Sequence, residues 1–242
     1  MDSLEHSDER RQGTANLPVP AGAAPGQQAL ELSRRRAKVA AALTRAITAE
    51  IRLLGMPDAQ FKIELDSTDD PDGVEVEVGR RVRLFATGIE QAEFRLAVNY
   101  GTQPAPLRQV ASGGEISRVM LAIKTVLARS ARIPTMIFDE IDAGIGGRIG
   151  EVVARKLAAL ALHHQVLCIT HMPGIAARAD YNLFVDKERA GKGTVVRISA
   201  LDGKEKVGEI VRLLGSSIDS KTAVRMAREM LELAGQERRE RQ

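Results

Sequence analysis

The chain has 242 residues, of which 44% are hydrophobic and 28% are charged, and its formal net charge is +3. These values are ordinary for a globular protein that can bury a sizeable core, and they permit an anionic partner without requiring one. Aromatic residues make up 3% and tryptophan is absent, which argues against a stacking platform for single-stranded nucleic acid.

The N-terminal segment has the composition of an unstructured chain. Residues 1–26 contain three prolines, three glycines and almost no large apolar side chains, which favours a disordered tail or linker. No apolar stretch approaches the length of a membrane span, and the N-terminus has no signal-peptide core. The single cysteine, Cys168, lies in an apolar run, as a reduced core residue does. We therefore expect a cytoplasmic protein with no membrane partner.

Residues 27–54 show a helical pattern, because apolar side chains recur mostly every three or four positions. The positions are Leu30, Val39, Leu43, Ile47, Ile51 and Leu54. Gly55 is a natural helix stop. The stripe fits a plain core helix as well as one arm of a coiled coil, since about thirty residues are too few to establish a heptad seam.

The rest of the chain reads as an antiparallel β portion followed by alternating helices and strands. Residues 61–100 alternate apolar and polar side chains around a predicted turn at residues 69–73, which indicates antiparallel sheet with one solvated face. We then predict helices at residues 112–129 and 148–162, strands at 135–138 and 165–170, a hairpin of strands 181–187 and 194–200, and closing helices at 206–214 and 220–234. The alternation predicts an α/β fold.

Two carboxylates, Asp139 and Glu140, directly follow the apolar run Thr135–Phe138. Such a run suits a strand buried on both faces of a parallel sheet, and open α/β sheets bind ligands beyond the carboxyl ends of their strands. A cation held together with phosphate needs one carboxylate at that place, and hydrolysis needs a second one to position water. Taken by itself, the stretch fits equally well a strand that simply ends in polar residues.

A second candidate site is the stretch from Ser112 to Glu115. Serine followed three residues later by glutamate is the sequence pattern of a capping box at a helix start. The intervening Gly113 and Gly114 leave backbone N–H groups bare, and such groups at a helix N-terminus can bind an anion. The capping role and an anion-binding role are compatible, so the pattern supports both.

The order of three segments carries a family resemblance. The sequence reads ASGGEISRVMLAIK from residue 111, IFDEIDAGIGG from residue 137 and ITHMPGIAARAD from residue 169. This order resembles the C-terminal half of an ATP-binding-cassette (ABC) ATPase head, which carries a signature, a Walker B strand with its glutamate and a switch histidine. The sequences of these three segments are most similar to those of the RecN family of bacterial DNA repair proteins, which are relatives of the structural-maintenance-of-chromosomes (SMC) proteins. The resemblance covers roughly residues 28–235.

The resemblance implies a phosphate contact at the signature. The hydroxyl of Ser112 and the amides of Gly113 and Gly114 are implied to contact the terminal phosphate of ATP bound to the other subunit. The signature has Glu115, as in RecN-like sequences, where transporters usually carry glutamine. Transporters also carry aspartate where this sequence has Gly146, and this departure favours the RecN family.

The resemblance also assigns roles around the Walker B strand. It implies that Asp139 holds Mg2+, mostly through water, and that Glu140 orients or deprotonates the attacking water. It implies that His171 is the switch histidine that senses the terminal phosphate, although a single histidine also fits a structural role. The loop of residues 141–147 is implied to cross the dimer interface. Its members include Asp142, Ala143 and Gly144.

The sequence contains no Gly-x-x-x-x-Gly-Lys-Ser/Thr phosphate-binding loop. The resemblance therefore implies a half-head, inactive alone, that needs the N-terminal Walker A half of the same head. The other implied partners are a second copy, which forms a homodimer through ATP-sandwiched heads, and DNA, in a cytoplasmic, nucleoid-associated protein. Two alternatives stay open: the nucleotide-binding subunit of an ABC transporter, and a non-catalytic DNA-bridging or interaction fragment.

The implied fold class is α/β, an ABC/SMC-type ATPase head half. It combines an antiparallel β portion, a parallel-sheet core with flanking helices, and an N-terminal helix that is the end of a coiled coil. The predicted organisation is a disordered tail or linker at 1–26, the end of a coiled-coil arm at 27–56, the C-terminal lobe of the head at 57–235 and a flexible C-terminus at 236–242.

Overall fold

The computed structural model describes residues 24–110, 112–128, 133–190 and 193–241. These residues form two compact units, one from residues 24–49 and 58–110 and the other from residues 50–57 and the described residues from 112 onward. The predicted disordered segment at 1–26 falls mostly outside the described residues and stays a prediction. No helix within the described ranges is both long and apolar enough to cross a membrane.

The first unit combines one long helix with antiparallel strands. Its elements are α1 (Ala24–Leu53), β1 (Gln60–Ser67), β2 (Asp69–Glu77), β3 (Arg80–Val82), β4 (Glu90–Ala97) and β5 (Ala105–Pro106). The last residues of α1 belong to the second unit, and Gly55 follows the helix at φ 88°, a left-handed conformation that suits glycine and confirms the predicted stop. Strands β1, β4 and β5 form one antiparallel sheet, and β2 pairs with β3 in another.

The core of the first unit follows from the alternation in its strands. Phe61 of β1 and Phe94 of β4 meet edge to face, with ring centroids 5.5 Å apart. The predicted turn at 69–73 is wrong, because these residues belong to β2. Asp69 and Val74 both oppose Val82 across the strand pair, so the irregular sequence is accommodated as a bulge rather than as a turn.

The second unit alternates helices and strands, as the sequence predicts. Its elements are α2 (Gly113–Leu127), β6 (Thr135–Phe138), α3 (Gly147–Leu160), β7 (Gln165–Cys168), α4 (Pro173–Arg178), β8 (Leu183–Ala190), β9 (Gly193–Ala200), α5 (Gly203–Leu213) and α6 (Lys221–Arg241). Strands β6 and β7 are parallel, and Phe138 lies opposite Cys168. Strands β8 and β9 form the predicted antiparallel hairpin. The expected combination of antiparallel β portion, parallel strands, helices and an N-terminal helix is thus confirmed.

Within the part of the chain that the structure describes, one face of the parallel pair is uncovered. Met136 and Phe138 of β6 are buried, whereas Ile137 on the opposite face is 70% exposed. Leu167 lies opposite Ile137 in the register and is also exposed. The expectation that β6 is buried on both faces is therefore wrong for this chain. The physical reason is that a two-stranded sheet is covered here on one side only.

The C-terminal helices pack through small side chains. A buried cluster joins α4, α5 and α6, and it consists of Ala176, Ala177, Ile210, Val211, Ala223 and Ala227. Alanines at the contacts let the helices approach closely, while the larger side chains fill the space between them.

The last helix continues further than the sequence suggests. The expected flexible end at 236–242 is helical through Arg241. The guanidinium of Arg178 in α4 is 6% exposed, and it donates to Glu151 of α3 and to Glu237 of α6. Burial opposes the positive charge, but Glu237 and Glu151 outweigh this effect and raise the pKa of Arg178. These ion pairs, together with Arg238 to Asp180, hold the end of α6 against the unit.

Replacing Arg178 by alanine should lower the free energy of unfolding by about 2 kcal/mol, because Glu151 and Glu237 then lose their buried partner and keep the more exposed Arg155, which lies 3.4 Å from each of them. The matched control is Arg197→Ala, which removes an arginine from an exposed pair with Glu188 and should cost no more than about 1 kcal/mol. Chemical denaturation of both variants measures the difference. Equal losses would contradict the structural importance of the buried pair.

Candidate functional site

The N-terminus of α2 opens toward solvent at the predicted signature. Ser112 precedes the helix in an extended conformation, and its Oγ accepts a hydrogen bond from the backbone N–H of Glu115 at 3.4 Å. This bond is the N-cap half of the expected capping box. Ser112 and Gly113 are exposed, so the first backbone N–H groups of the helix lie at the surface.

The same helix start packs closely on the loop after β6. A Cβ atom on Gly114 would lie 3.0 Å from Cβ of Ala143 and 3.1 Å from the backbone oxygen of Glu140. A Cβ on Gly113 would overlap the carboxylate of Glu140. Glycine at position 114 is therefore favoured by the approach of the loop backbone, whereas the carboxylate near Gly113 is the end of an exposed side chain that can move aside.

Two side chains one turn further along α2 fix the loop by hydrogen bonds. Ser117 Oγ donates to the backbone oxygen of Asp139 at 2.7 Å, and Arg118 Nη1 donates to the backbone oxygen of Ala143 at 2.9 Å. Arg118 is buried, and burial lowers the pKa of its guanidinium. Neither residue was predicted from the sequence, although a position one helical turn after the signature is a usable signal.

Asp139 and Glu140 lie where strand β6 ends. Both residues are exposed, and Asp139 Oδ1 accepts from the backbone N–H of Glu140 at 2.9 Å. Glu140 has φ 55°, the one positive value among the described non-glycine residues. A left-handed backbone costs a non-glycine residue about 1–2 kcal/mol, so the surrounding contacts must impose it.

Asp142 ties the loop after β6 to the segment after β7. Its carboxylate is buried, with 3% of the side chain exposed. One oxygen, Oδ2, accepts from Thr170 Oγ1 at 2.5 Å and from the backbone N–H of His171 at 2.9 Å, and it lies 3.1 Å from His171 Nδ1. Thr170 Oγ1 in turn accepts from the backbone N–H of Met172 at 3.0 Å. Sequence reasoning placed Asp142 at an interface and did not identify this contact or Thr170.

The structure thus brings the predicted site residues of the three motifs together. Gly113 and Gly114 of the signature approach Glu140 and Ala143, and the loop of these residues contacts His171 through Asp142. Gly144 lies in the same loop at φ 71°. His163 and His164 do not join the site. The ring of His164 instead contacts the segment before β6, where Ile133 O lies 2.8 Å from its Nδ1.

The side chains at this site supply only part of the ligands that a magnesium ion and a nucleotide need. Asp139 and Glu140 offer hard carboxylate oxygens, the ligand type that Mg2+ prefers. Within the described ranges, however, no group of three or more histidine, cysteine or acidic side chains could hold a metal by itself. Further oxygens must therefore come from water, from phosphate or from another segment.

Burial, with smaller effects of Asp142 and Asp139, raises the pKa of the Cys168 thiol to about 12, so this thiol is neutral at neutral pH.

Comparison of the sequence with known proteins finds relatives that share one description. No protein-family model matches the chain. The DNA repair protein RecN of Streptomyces coelicolor is 41% identical over 213 residues, which are 88% of this chain and 37% of that protein. RecN of Mycobacterium leprae is 38% identical over 241 residues, or 97% of this chain and 41% of that protein. RecN of Halalkalibacterium halodurans is 32% identical over 97% of this chain and 40% of that protein.

Solved structures of SMC heads also align with the chain. The Smc head domain of Pyrococcus yayanosii, with a coiled coil and joint, shares 20% identity at a TM-score of 0.48 and covers 74% of this chain and 30% of that one. The chain belongs to the RecN family. It matches the C-terminal portion of these relatives and spans about two fifths of their length.

The contact between Gly114 and the loop can be tested by two glycine substitutions in helices. Gly235→Ala in α6 has open space around the new Cβ and should raise stability by about 0.5–1 kcal/mol, the usual gain of alanine over glycine in a helix. Gly114→Ala should give no such gain, because its Cβ presses on Ala143 and Glu140. Thermal denaturation measures the stability, and hydrogen exchange of residues 140–144 should accelerate in Gly114→Ala alone. An equal gain in both variants would contradict the close contact.

Proposed function

We propose that this chain supplies the signature, Walker B and switch-histidine part of a RecN-type ATPase that acts in the repair and recombination of DNA with double-strand breaks. The observation that carries the proposal is the junction of three segments, in which the start of α2, the loop after β6 and His171 form one connected surface. The repair role and DNA as a partner are supported by the name of the relatives, DNA repair protein RecN.

The chemistry assigned to the chain is phosphate binding at a helix start and water activation at a strand end. The hydroxyl of Ser112 and the amides of Gly113 and Gly114 bind the terminal phosphate of ATP held by a second copy. Their support is the exposed N-terminus of a 15-residue helix, where bare N–H groups favour an anion. Glu115 lies within this first turn and completes the signature.

The loop after β6 carries the second half of the proposed chemistry. Glu140 orients or deprotonates the attacking water, and the ring of His171 contacts the terminal phosphate. Asp139 would hold Mg2+. When bound, this ion neutralises negative charge on the phosphates. Asp142, Ala143 and Gly144 lie in the loop that crosses the interface between two heads. The support for these roles is that Asp139, Glu140 and His171 are exposed side by side at the ends of neighbouring parallel strands.

The phosphate-cradling part of the site is proposed to come from the N-terminal Walker A half of the same head. The relatives are more than twice as long as the part that this chain matches. The uncovered face of β6 and β7 is proposed as the docking surface, and it presents Ile137, Leu167 and Ile169. Large apolar side chains exposed together mark a surface that another segment covers.

The hairpin of β8 and β9 offers a second uncovered apolar face. Cross-strand register places Val185 opposite Ile198 and Lys187 opposite Val196, with Leu183 on the same face. All four aliphatic side chains of this face are largely exposed. We propose that this face is also covered when the head is assembled from its two halves. The assembled head then pairs with a second head, with ATP bound between them. The cellular site of this assembly is proposed to be the cytoplasm, in association with the nucleoid.

The chain alone should hydrolyse no ATP, and it should gain turnover when it is mixed with the N-terminal portion of a RecN relative.

Asp139 and Glu140 have different proposed roles, so their substitution in the assembly of these two portions should have different effects. In that assembly, Glu140→Gln should lower kcat at least about 100-fold and leave ATP bound, because an interaction with the attacking water matters mainly in the transition state. Asp139→Asn should instead raise the Kd of Mg-ATP.

Nucleotide titration and single-turnover rates of both variants separate these effects. Loss of ATP affinity in Glu140→Gln with affinity kept in Asp139→Asn would reverse the two assignments. Robust hydrolysis by the chain alone, abolished by Glu140→Gln, would contradict the need for a second segment.

The docking face is tested by a charge placed in its centre. Ile137→Glu should prevent association with the N-terminal portion of a RecN relative, because burial of an unpaired carboxylate costs several kcal/mol. The matched control is Val78→Glu, which puts the same charge on a fully exposed position of the first unit and should leave association unchanged. Sedimentation velocity of each mixture measures the complex. Full association of Ile137→Glu would exclude this face as the contact.

A further inference from the structure

We propose that Asp142 is a positioning residue for His171: its buried carboxylate holds Nδ1 of the ring and thereby turns Nε2 outward to the nucleotide. This role deepens the proposed function, because it presupposes that His171 contacts the terminal phosphate. The family resemblance placed Asp142 only in the loop that is implied to cross the dimer interface.

The carboxylate of Asp142 is held in a fixed position. Asp142 is 3% exposed, and its Oδ2 accepts from the hydroxyl of Thr170 and from the backbone N–H of His171. Both donors belong to the segment after β7, and Thr170 is itself held by Met172. A buried carboxylate with several donors has little freedom to move, because each lost hydrogen bond leaves a buried charge less well satisfied.

The ring of His171 contacts this carboxylate. The side chain of His171 is 73% exposed, so packing alone leaves the ring free to rotate. Among the described residues, the carboxylate of Asp142 is the polar group that contacts the ring, with Oδ2 at 3.1 Å from Nδ1. An ionised carboxylate offers acceptors only, so the contact requires a proton on Nδ1. The other nitrogen, Nε2, then faces the nucleotide, and it donates to a phosphate oxygen once it takes up a second ring proton from solvent.

The loop that carries Asp142 is itself supported on two sides. Ala143, next to Asp142, accepts a hydrogen bond from Arg118 and faces Gly114 of the signature helix. Asp142 therefore belongs to a loop that α2 fixes on one side and that the segment after β7 fixes on the other. The orientation of His171 depends in this way on contacts made by two of the three motifs.

The direct test is the tautomer of His171 in the chain itself, read from the 15N chemical shifts of the imidazole ring at a pH where the ring is neutral. His171→Gln identifies the signal among the four histidines. The unchanged chain should show a protonated Nδ1 and a bare Nε2, which is the less common form of a free histidine in water. A protonated Nε2 in the neutral ring would overturn the proposal, and this measurement needs no variant of Asp142.

The second test uses turnover in the assembled ATPase. Asp142→Asn keeps the size of the side chain and an acceptor oxygen, and it should lower kcat about 10-fold while KM changes little, as expected for a partner of a functional histidine. In the background of His171→Ala, the same change should have no further effect, because a positioning residue acts only through the ring. Asp58→Asn, an exposed aspartate elsewhere, is the control for the altered charge.

These variants distinguish failure of the positioning role of Asp142 from failure of the proposed role of His171, on which it rests. If His171→Ala leaves turnover unchanged, the proposed role of His171 fails, and the positioning role fails with it. If His171→Ala abolishes turnover and Asp142→Asn does not lower it, the positioning role alone is refuted. Equal losses from Asp142→Asn with and without His171 would show that Asp142 acts on stability rather than on the ring.

Discussion

The buried carboxylate of Asp142 is the contact on which the arrangement of the site depends. A carboxylate out of water requires donors around it, and the hydroxyl of Thr170 and the N–H of His171 provide them. These partners follow β7, whereas Asp142 follows β6, so the bond joins the ends of two parallel strands. The register that sets Phe138 opposite Cys168 brings these ends together. A shift of one residue would turn each side chain of one strand to the other face and would break the contact.

The same loop meets the start of α2 from the other side. Glycine at position 114 allows this approach, and Arg118 and Ser117 add hydrogen bonds to it. The loop after β6 is therefore held by elements distant in sequence, which is how Glu140 can keep a left-handed backbone. The proposed function uses this strained residue, the exposed carboxylates beside it and the helix N-terminus to bind phosphate and to position water.

Much of the second unit could be predicted from its sequence. Apolar periodicity predicted the helix observed as Gly147–Leu160, and the run before Asp139 predicted both the strand and its polar end. The contact of Asp142 with His171 could not be predicted, because only the pairing of the two strands brings residues 142 and 171 together. The exposure of Ile137 was missed because local pattern does not reveal what covers the second face of a strand. The helical end of α6 was missed because its partner, Arg178, lies 59 residues away from Glu237.

In the proposed dimer, each chain contributes its signature to one bound nucleotide and its Walker B glutamate, Glu140, to the other. The most direct measurement mixes two inactive variants of the assembled ATPase, one carrying Ser112→Arg and the other Glu140→Gln. If ATP lies between Ser112 of one copy and Glu140 of its partner, a mixed dimer has one site with both changes and one unchanged site, so mixing should restore ATP turnover. If both residues of one copy serve the same nucleotide, every site in the mixture carries a change. Turnover that stays at the sum of the two separate variants would contradict the account.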